Sequence, residues 1–293
     1  MEFRSVCNKF FLTAFFFSLK HFYGFFYVWT TIVKVIKHSE MERWCNKVAV
    51  VSGASAGIGA ACCKALATAG MVVVGLARRH ERIEKLKMEL PLAIQKNLHA
   101  RHCDVTKEED VSKTFEWIQS ELGGCDVLVN NAGIIATALL SDRNNTQQIR
   151  DTIDTNLMGT VFCTREAFHS MRTQKQGKGH IIIVNSVAGM QVPNLGPDLP
   201  SLNVYPATKF ALRAMTEIYR QEFQRRQTQV RITTISPGIV NTDILPTEIQ
   251  TVVKQFMPML KSEEVADAIL WALETPPNVQ VHNITIKPMG EKF

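Results

Sequence analysis

Three glycines, a tyrosine–lysine pair, one serine and one asparagine are the residues here whose types and spacing can do chemistry. Ser52-Gly53-Ala54-Ser55-Ala56-Gly57-Ile58-Gly59 follows a β-branched run, Lys47 to Val51. It precedes a stretch rich in helix formers, Ala60 to Ala69, with Gly70 placed to end a helix. A strand, a glycine turn and a helix make a phosphate site: N–H groups at the helix start point outward, and glycines let a pyrophosphate approach them. An ordinary strand-to-helix turn also uses glycine, so the spacing alone leaves both readings open. The pattern here is G-x-x-x-G-x-G, not the commoner G-x-G-x-x-G. Further on, Tyr205 and Lys209 stand at i and i+4 and share one helix face. Ser186 ends the apolar run 180–185, and open parallel sheets bind ligands at that edge. Asn156 falls inside a helical pattern, where a buried amide must find partners.

The elements that position these residues follow from hydrophobic pattern. Strands are expected at 47–51, 71–76, 98–103, 126–129, 180–185, 230–235 and 281–286, with helices between them. Thr106 with Glu109 reads as a capping box for a helix over 107–122, and Ser262-Glu263-Glu264 opens the last helix. A helical pattern covers 146–172, and another runs from Tyr205 to about Arg226. The stretch 187–204 is irregular, and 245–260 has the mixed character of a lid. Repeated strand–helix units with short connections predict one α/β domain, a doubly wound parallel sheet of about seven strands. After the second strand comes Ala77-Arg78-Arg79, where many NAD-binding chains place an acid for the ribose 2′-hydroxyl. An arginine fork suits a 2′-phosphate instead; the other reading is a solvated pair opening the next helix.

Composition narrows the class. Apolar residues make up 46% and charged ones 20%, ordinary for a globular protein with a full core. The net charge of +6 shows no basic stripe, which argues against nucleic acid as a partner. Seven cysteines are scattered with no C-x-x-C pair or Cys/His cluster, which suits reduced thiols and no metal site. Residues 1–40 differ from the rest: they hold 12 of the 24 aromatic side chains. Apolar runs at 10–19 and 22–33 are split by Lys20-His21, and together they reach the length of a membrane span. Burying that lysine costs about 2.5–3.5 kcal/mol. A dispensable leading segment, a membrane anchor through 10–33 and a signal-like segment all fit. The catalytic domain is expected over 41–293, in the cytoplasm, with membrane association only through that segment.

Gly53-x-x-x-Gly57-x-Gly59, Asn130-Asn131-Ala132-Gly133, Asn156, Ser186, Tyr205-x-x-x-Lys209 and Pro237-Gly238 occur in that order over about residues 45–290. In this the chain resembles the short-chain dehydrogenase/reductase family. The resemblance implies a Rossmann-type fold, a homo-oligomer, and hydride transfer between a nicotinamide cofactor and an alcohol or its carbonyl. It implies that Tyr205 is the acid/base, that Ser186 holds the substrate oxygen, and that Lys209 holds the nicotinamide ribose. It implies that Asn156 anchors a water chain, that Ser55 and Ile58 join the glycines at the phosphates, and that Asp104 and Val105 touch the adenine. Asn131, Ala132 and Gly133 would line the cofactor, and Pro237, Gly238, Val240 and Thr242 its nicotinamide end. A free tyrosine titrates near 10, and a cation about 4 Å away at an effective dielectric of about 20 contributes roughly 4 kcal/mol. Lys209 is therefore expected to lower the Tyr205 pKa. Two departures stand out: Ser52 replaces the usual threonine, and Ala56 replaces a basic residue common in NADP-using members. The preference for NADP(H) over NAD(H) then rests on Arg78 and Arg79.

The expected substrate is an elongated apolar alcohol or its carbonyl, such as an isoprenoid or steroid. The loop after Ser186 carries Val187, Met190, Val192, Leu195, Leu199, Leu202 and Val204 with one charge, Asp198. The segment after Gly238 adds Ile239, Ile244, Leu245, Val252, Val253, Phe256, Met257, Met259 and Leu260. These side chains could equally cover the sheet or build a dimer contact. A non-catalytic nucleotide-binding scaffold on the same fold is the alternative function.

Overall fold

A computed structural model of the chain describes residues 40–194, 196, 200–245, 250 and 257–291. The expectations for residues 1–39, those for Leu195, Asp198, Leu199, Val252, Val253 and Phe256, and most of the lid segment lie outside that set. The chain divides into two units after Arg43, and the second unit, Trp44–Phe293, is compact. Among the described residues no helix is long and apolar enough to cross a membrane, and all six cysteines are free.

The second unit is built on seven parallel strands in the order β3-β2-β1-β4-β5-β6-β7. They are β1 (Val48–Ser52), β2 (Val72–Ala77), β3 (Leu98–His102), β4 (Val127–Asn130), β5 (Lys178–Val184), β6 (Gln229–Pro237) and β7 (Asn283–Ile286). The central strands read as continuous Val/Ile/Leu runs because helices cover both faces of the sheet. Among its described residues eight α-helices have full bounds, in chain order α1 (Gly57–Thr68), α2 (Glu81–Met88), α3 (Leu92–Gln95), α4 (Glu108–Leu122), α5 (Thr146–Ile153), α6 (Gly159–Gln174), α7 (Tyr205–Arg225) and α8 (Ser262–Glu274). Helix α1 packs on α8, and α4 packs on α6. The core between α4, α6 and the sheet joins Val50, Leu128, Ile181 and Ile232 to Phe115, Met171 and Phe223. Strand order reverses between β1 and β4, and a crevice opens there beyond the strand ends.

Two local expectations need correction. The Thr106 hydroxyl donates to Asp104 Oδ1 at 2.8 Å, and so does the Thr106 N–H at 3.1 Å. That Asx turn holds Thr106 ahead of the helix, and α4 starts after Lys107, one residue later than a Thr106 cap requires, with no side-chain cap. At α8 it is Glu264, not Ser262, that caps: its carboxylate accepts the Lys261 N–H at 2.8 Å.

Candidate active site

The glycine turn and the loop after β4 are laced together by side chains. Ser52 Oγ accepts the N–H groups of Asn131 (3.0 Å) and Ala132 (3.1 Å). Asn131 Nδ2 donates back to the carbonyls of Ser52 (3.0 Å) and Gly53 (3.2 Å). Serine in place of threonine therefore keeps the hydroxyl that matters. The glycines divide the labour. Gly53 has φ +66°, and a Cβ there would stand 2.8 Å from Ala132 Cα. A Cβ on Gly59 would meet the Gly53 carbonyl at 2.3 Å, so Gly59 lets α1 pack against its own turn.

The start of α1 has no side-chain cap and no acid in its first turn. Such an end leaves its N–H groups for an anion, so the residues present fit a dinucleotide pyrophosphate. Gly53, Ser55, Gly57 and Ile58 line a cleft of about 370 Å³, with Arg78 and Arg79 exposed on its wall beside buried Ala77. Asp104, Val105, Ala132 and Gly133 line it too. Thr155 is a further lining residue that pattern reasoning missed.

A smaller cavity of about 160 Å³ shares Ile58, Asn131, Gly133, Ile135, Thr242 and Ile244 with the cleft. Ser186, Tyr205 and Lys209 line it together with Pro237, Gly238 and Val240. Tyr205 opens α7, and Lys209 follows one turn later, both buried. Ser186 Oγ accepts the Ala188 N–H at 3.1 Å, which leaves its proton to point at a neighbour. A Cβ on Gly189 would lie 2.6 Å from the Lys209 carbonyl, so glycine there lets the turn after Ser186 rest on α7.

Electrostatics differ from the expectation. Lys209 Nζ donates to the Val184 carbonyl at 3.0 Å and lies 5.5 Å from the centre of the Tyr205 ring. Burial pushes the Tyr205 phenol up to about 12, against a downward pull from its hydrogen bond with Ser186. Burial also pulls Lys209 down to about 8. Desolvation penalises the charged form of both groups.

Asn156 lies outside both cavities, 1% exposed, in a π-helical turn (Asp154–Met158) between α5 and α6. Its Oδ1 accepts the Ile134 N–H at 2.9 Å, and Nδ2 donates to Ile134 O and to Thr208 Oγ1, each at 3.1 Å. The side chain joins three segments, and the Asn156 backbone carbonyl accepts from Thr160 Oγ1 at 2.9 Å.

The cavity walls are apolar. Val187, Leu202, Ile239, Ile244, Leu245 and Met257 line it as their positions suggested. Val192 is exposed instead, and Leu260 is buried alongside Val240. Ile135 and Asn185 also line the cavity; only their place just beyond a strand end could have signalled them.

A family model described as short chain dehydrogenase matches residues 47–252. The chain belongs to the short-chain dehydrogenase family. Among its relatives, farnesol dehydrogenase of Aedes aegypti is 49% identical over 253 residues, 86% of this chain and 100% of that protein. Dehydrogenase/reductase SDR family member 11 of Bos taurus is 38% identical, covering 85% of this chain and 98% of that one. Among solved structures, an alcohol dehydrogenase from Thermococcus sibiricus complexed with 5-hydroxy-NADP superposes with a TM-score of 0.71 at 27% identity. That match covers 84% of this chain and 98% of the other. The closed form of a serine dehydrogenase complexed with NADP+ gives 0.74 at 27% identity, covering 84% and 96%. As a member of the family this chain is an oxidoreductase with a nucleotide-binding cleft.

Proposed function

We propose that the protein interconverts an apolar alcohol, an isoprenoid such as farnesol or a steroid-like alcohol, with its carbonyl, using NADP(H) in preference to NAD(H). One observation carries this reading: Ser186, Tyr205 and Lys209 meet in an apolar cavity that shares six lining residues with a cleft suited to a dinucleotide. When bound, the nicotinamide cofactor supplies or accepts the hydride. In the reductive direction the Tyr205 phenol donates its proton to the carbonyl oxygen, and the Ser186 hydroxyl donates a hydrogen bond to the same atom. In the oxidative direction the Tyr205 oxygen takes the alcohol proton as the C–H electron pair leaves with the hydride. Lys209 would hold the cofactor ribose. Arg78 and Arg79 supply positive charge for a 2′-phosphate where an acid would repel it. The name of the Aedes relative supports the isoprenoid, and the two NADP-bound structures support the cofactor.

A series of straight-chain and isoprenoid alcohols, run with NADP+ and with NAD+, tests both halves. KM is expected to fall several-fold as carbons are added, because the walls bind by burying apolar area at roughly 25 cal/mol per Å². A flat series, or faster turnover of sugars or charged hydroxy acids, refutes the substrate class. Equal kcat/KM for the two cofactors refutes the NADP preference.

A further inference from the structure

The loop that leaves β6 forms one wall of the catalytic cavity through Gly238, Ile239, Val240 and Thr242. Beyond β7 the chain turns back on itself: Glu291 N–H donates to Pro288 O at 3.2 Å, with Gly290 at φ +86°. The turn carries Met289 out into solvent and the Glu291 side chain, 2% exposed, inward. Glu291 Oε2 accepts the Ile239 N–H at 3.1 Å, and Lys287 Nζ lies 3.2 Å from Oε1.

The neighbouring peptide is held as well. Gly238 N–H donates to Ile286 O at 2.8 Å, and the Ile239 carbonyl accepts the Leu260 N–H at 2.8 Å. The Ile239 residue is thus fixed through its N–H by a carboxylate 52 positions later and through its carbonyl by Leu260. A Cβ on Gly238 would lie 2.0 Å from Glu291 Oε2. No positive φ is recorded for Gly238, so glycine there makes room for the carboxylate. A carboxylate so buried is tolerated only when paired and hydrogen-bonded, and this one is bound to the loop it supports.

We infer that Glu291 is a positioning residue: its buried carboxylate anchors the cavity-wall loop 237–242 through the Ile239 N–H, and Gly238 exists to admit it. The consequence for catalysis rests on the proposed function, in which this loop receives the nicotinamide end of the cofactor. A loop released from that anchor would hold the cofactor less well while leaving Ser186, Tyr205 and Lys209 in place.

Full-length Glu291→Ala, Glu291→Gln and Gly238→Ala chains test this. Glu291→Ala is expected to raise the NADPH Kd, read by fluorescence titration, roughly ten-fold, the loss typical of a hydrogen bond to a charged group. The kcat should stay within about three-fold, and Glu291→Gln, whose amide oxygen still accepts from Ile239, should recover most of the affinity. Gly238→Ala should weaken binding on its own but add little in the Glu291→Ala background, because contacting residues are not additive. Amide hydrogen exchange at Ile239 gives a readout independent of activity, with protection lost in Glu291→Ala and kept in Glu291→Gln. Unchanged protection in Glu291→Ala, an unchanged Kd, or full additivity with Gly238→Ala overturns the inference. A wild-type chain that neither binds NADPH nor oxidises alcohols overturns the proposed function instead, and the Ile239 exchange then still decides the anchor.

Discussion

A phenol pushed up to about 12 keeps its proton through the neutral range, whereas an ammonium pulled down to about 8 starts to lose its charge just above neutrality. On the proposed function the free protein at pH 7 is set for carbonyl reduction, with Tyr205 already holding the proton to be given. Oxidation needs the opposite state, so its kcat/KM is expected to rise from pH 6 through 8 while that for reduction stays level or falls. A level oxidative profile over that range would contradict the assignment. Tyr205→Phe should lower turnover by about 10²-fold or more and leave NADPH affinity nearly intact. The lysine also leaves a mark on stability. Its pKa is about 8 when folded and about 10.4 when unfolded. The unfolded chain binds the extra proton between those values, so stability from this group rises with pH across that window and is lost as pH falls through 8. Tyrosine, lysine, serine and the glycines were legible in the sequence because each sits at a fixed offset on a regular element. Glu291 was not, since its partner lies 52 positions away and no periodicity links them.

The π-helical turn at Asp154–Met158 shows what an element adds to a residue. It puts the Asn156 amide against Ile134, which follows β4, and against Thr208, one helical turn into α7. Thr208 Oγ1 donates in turn to the Tyr205 carbonyl at 2.7 Å, so the start of the tyrosine helix is tied to the loop that walls the cleft. Asn156→Ala would leave the Ile134 N–H and carbonyl unpaired. A fully buried orphan costs about 1–3 kcal/mol; Ile134 is part-buried at the cleft wall, so Tm should fall by roughly 3–6 °C for a unit of this size. A thermal scan showing no shift would mean that the three segments hold together without the amide. Strands were readable here because buried parallel strands are plain β-branched runs. The helix start at α4 was not, because the Asx turn at Asp104 keeps Thr106 outside the helix and the N-cap falls at Lys107, a choice that spacing does not rank.

At the scale of the whole molecule the open matter is how much chain the catalytic unit needs. The family match begins at residue 47, and 253 aligned residues account for the whole of the Aedes farnesol dehydrogenase. The compact unit nevertheless starts earlier, at Trp44. The Trp44 indole is buried and its Nε1 donates to the Leu273 carbonyl at 2.9 Å, at the C-terminal end of α8. Lys47 N–H donates to Trp44 O at 3.0 Å, and Asn46 N–H to Gly70 O at 2.8 Å, so the lead-in to β1 is fixed before the first strand residue. Two shortened chains separate these contributions. One beginning at Met41 keeps the tryptophan and is expected to retain kcat/KM and Tm close to those of the full chain. One beginning at Lys47 loses a buried tryptophan, a deletion that costs about 3–5 kcal/mol, and its Tm should fall by roughly 10 °C or more. Matched thermal scans and alcohol oxidation assays on the two chains give the answer. Failure of the Met41 chain, with the full chain active in detergent, would make residues 1–40 part of the working enzyme. Equal stability of the two shortened chains would mean that the Trp44 contact contributes nothing to the fold.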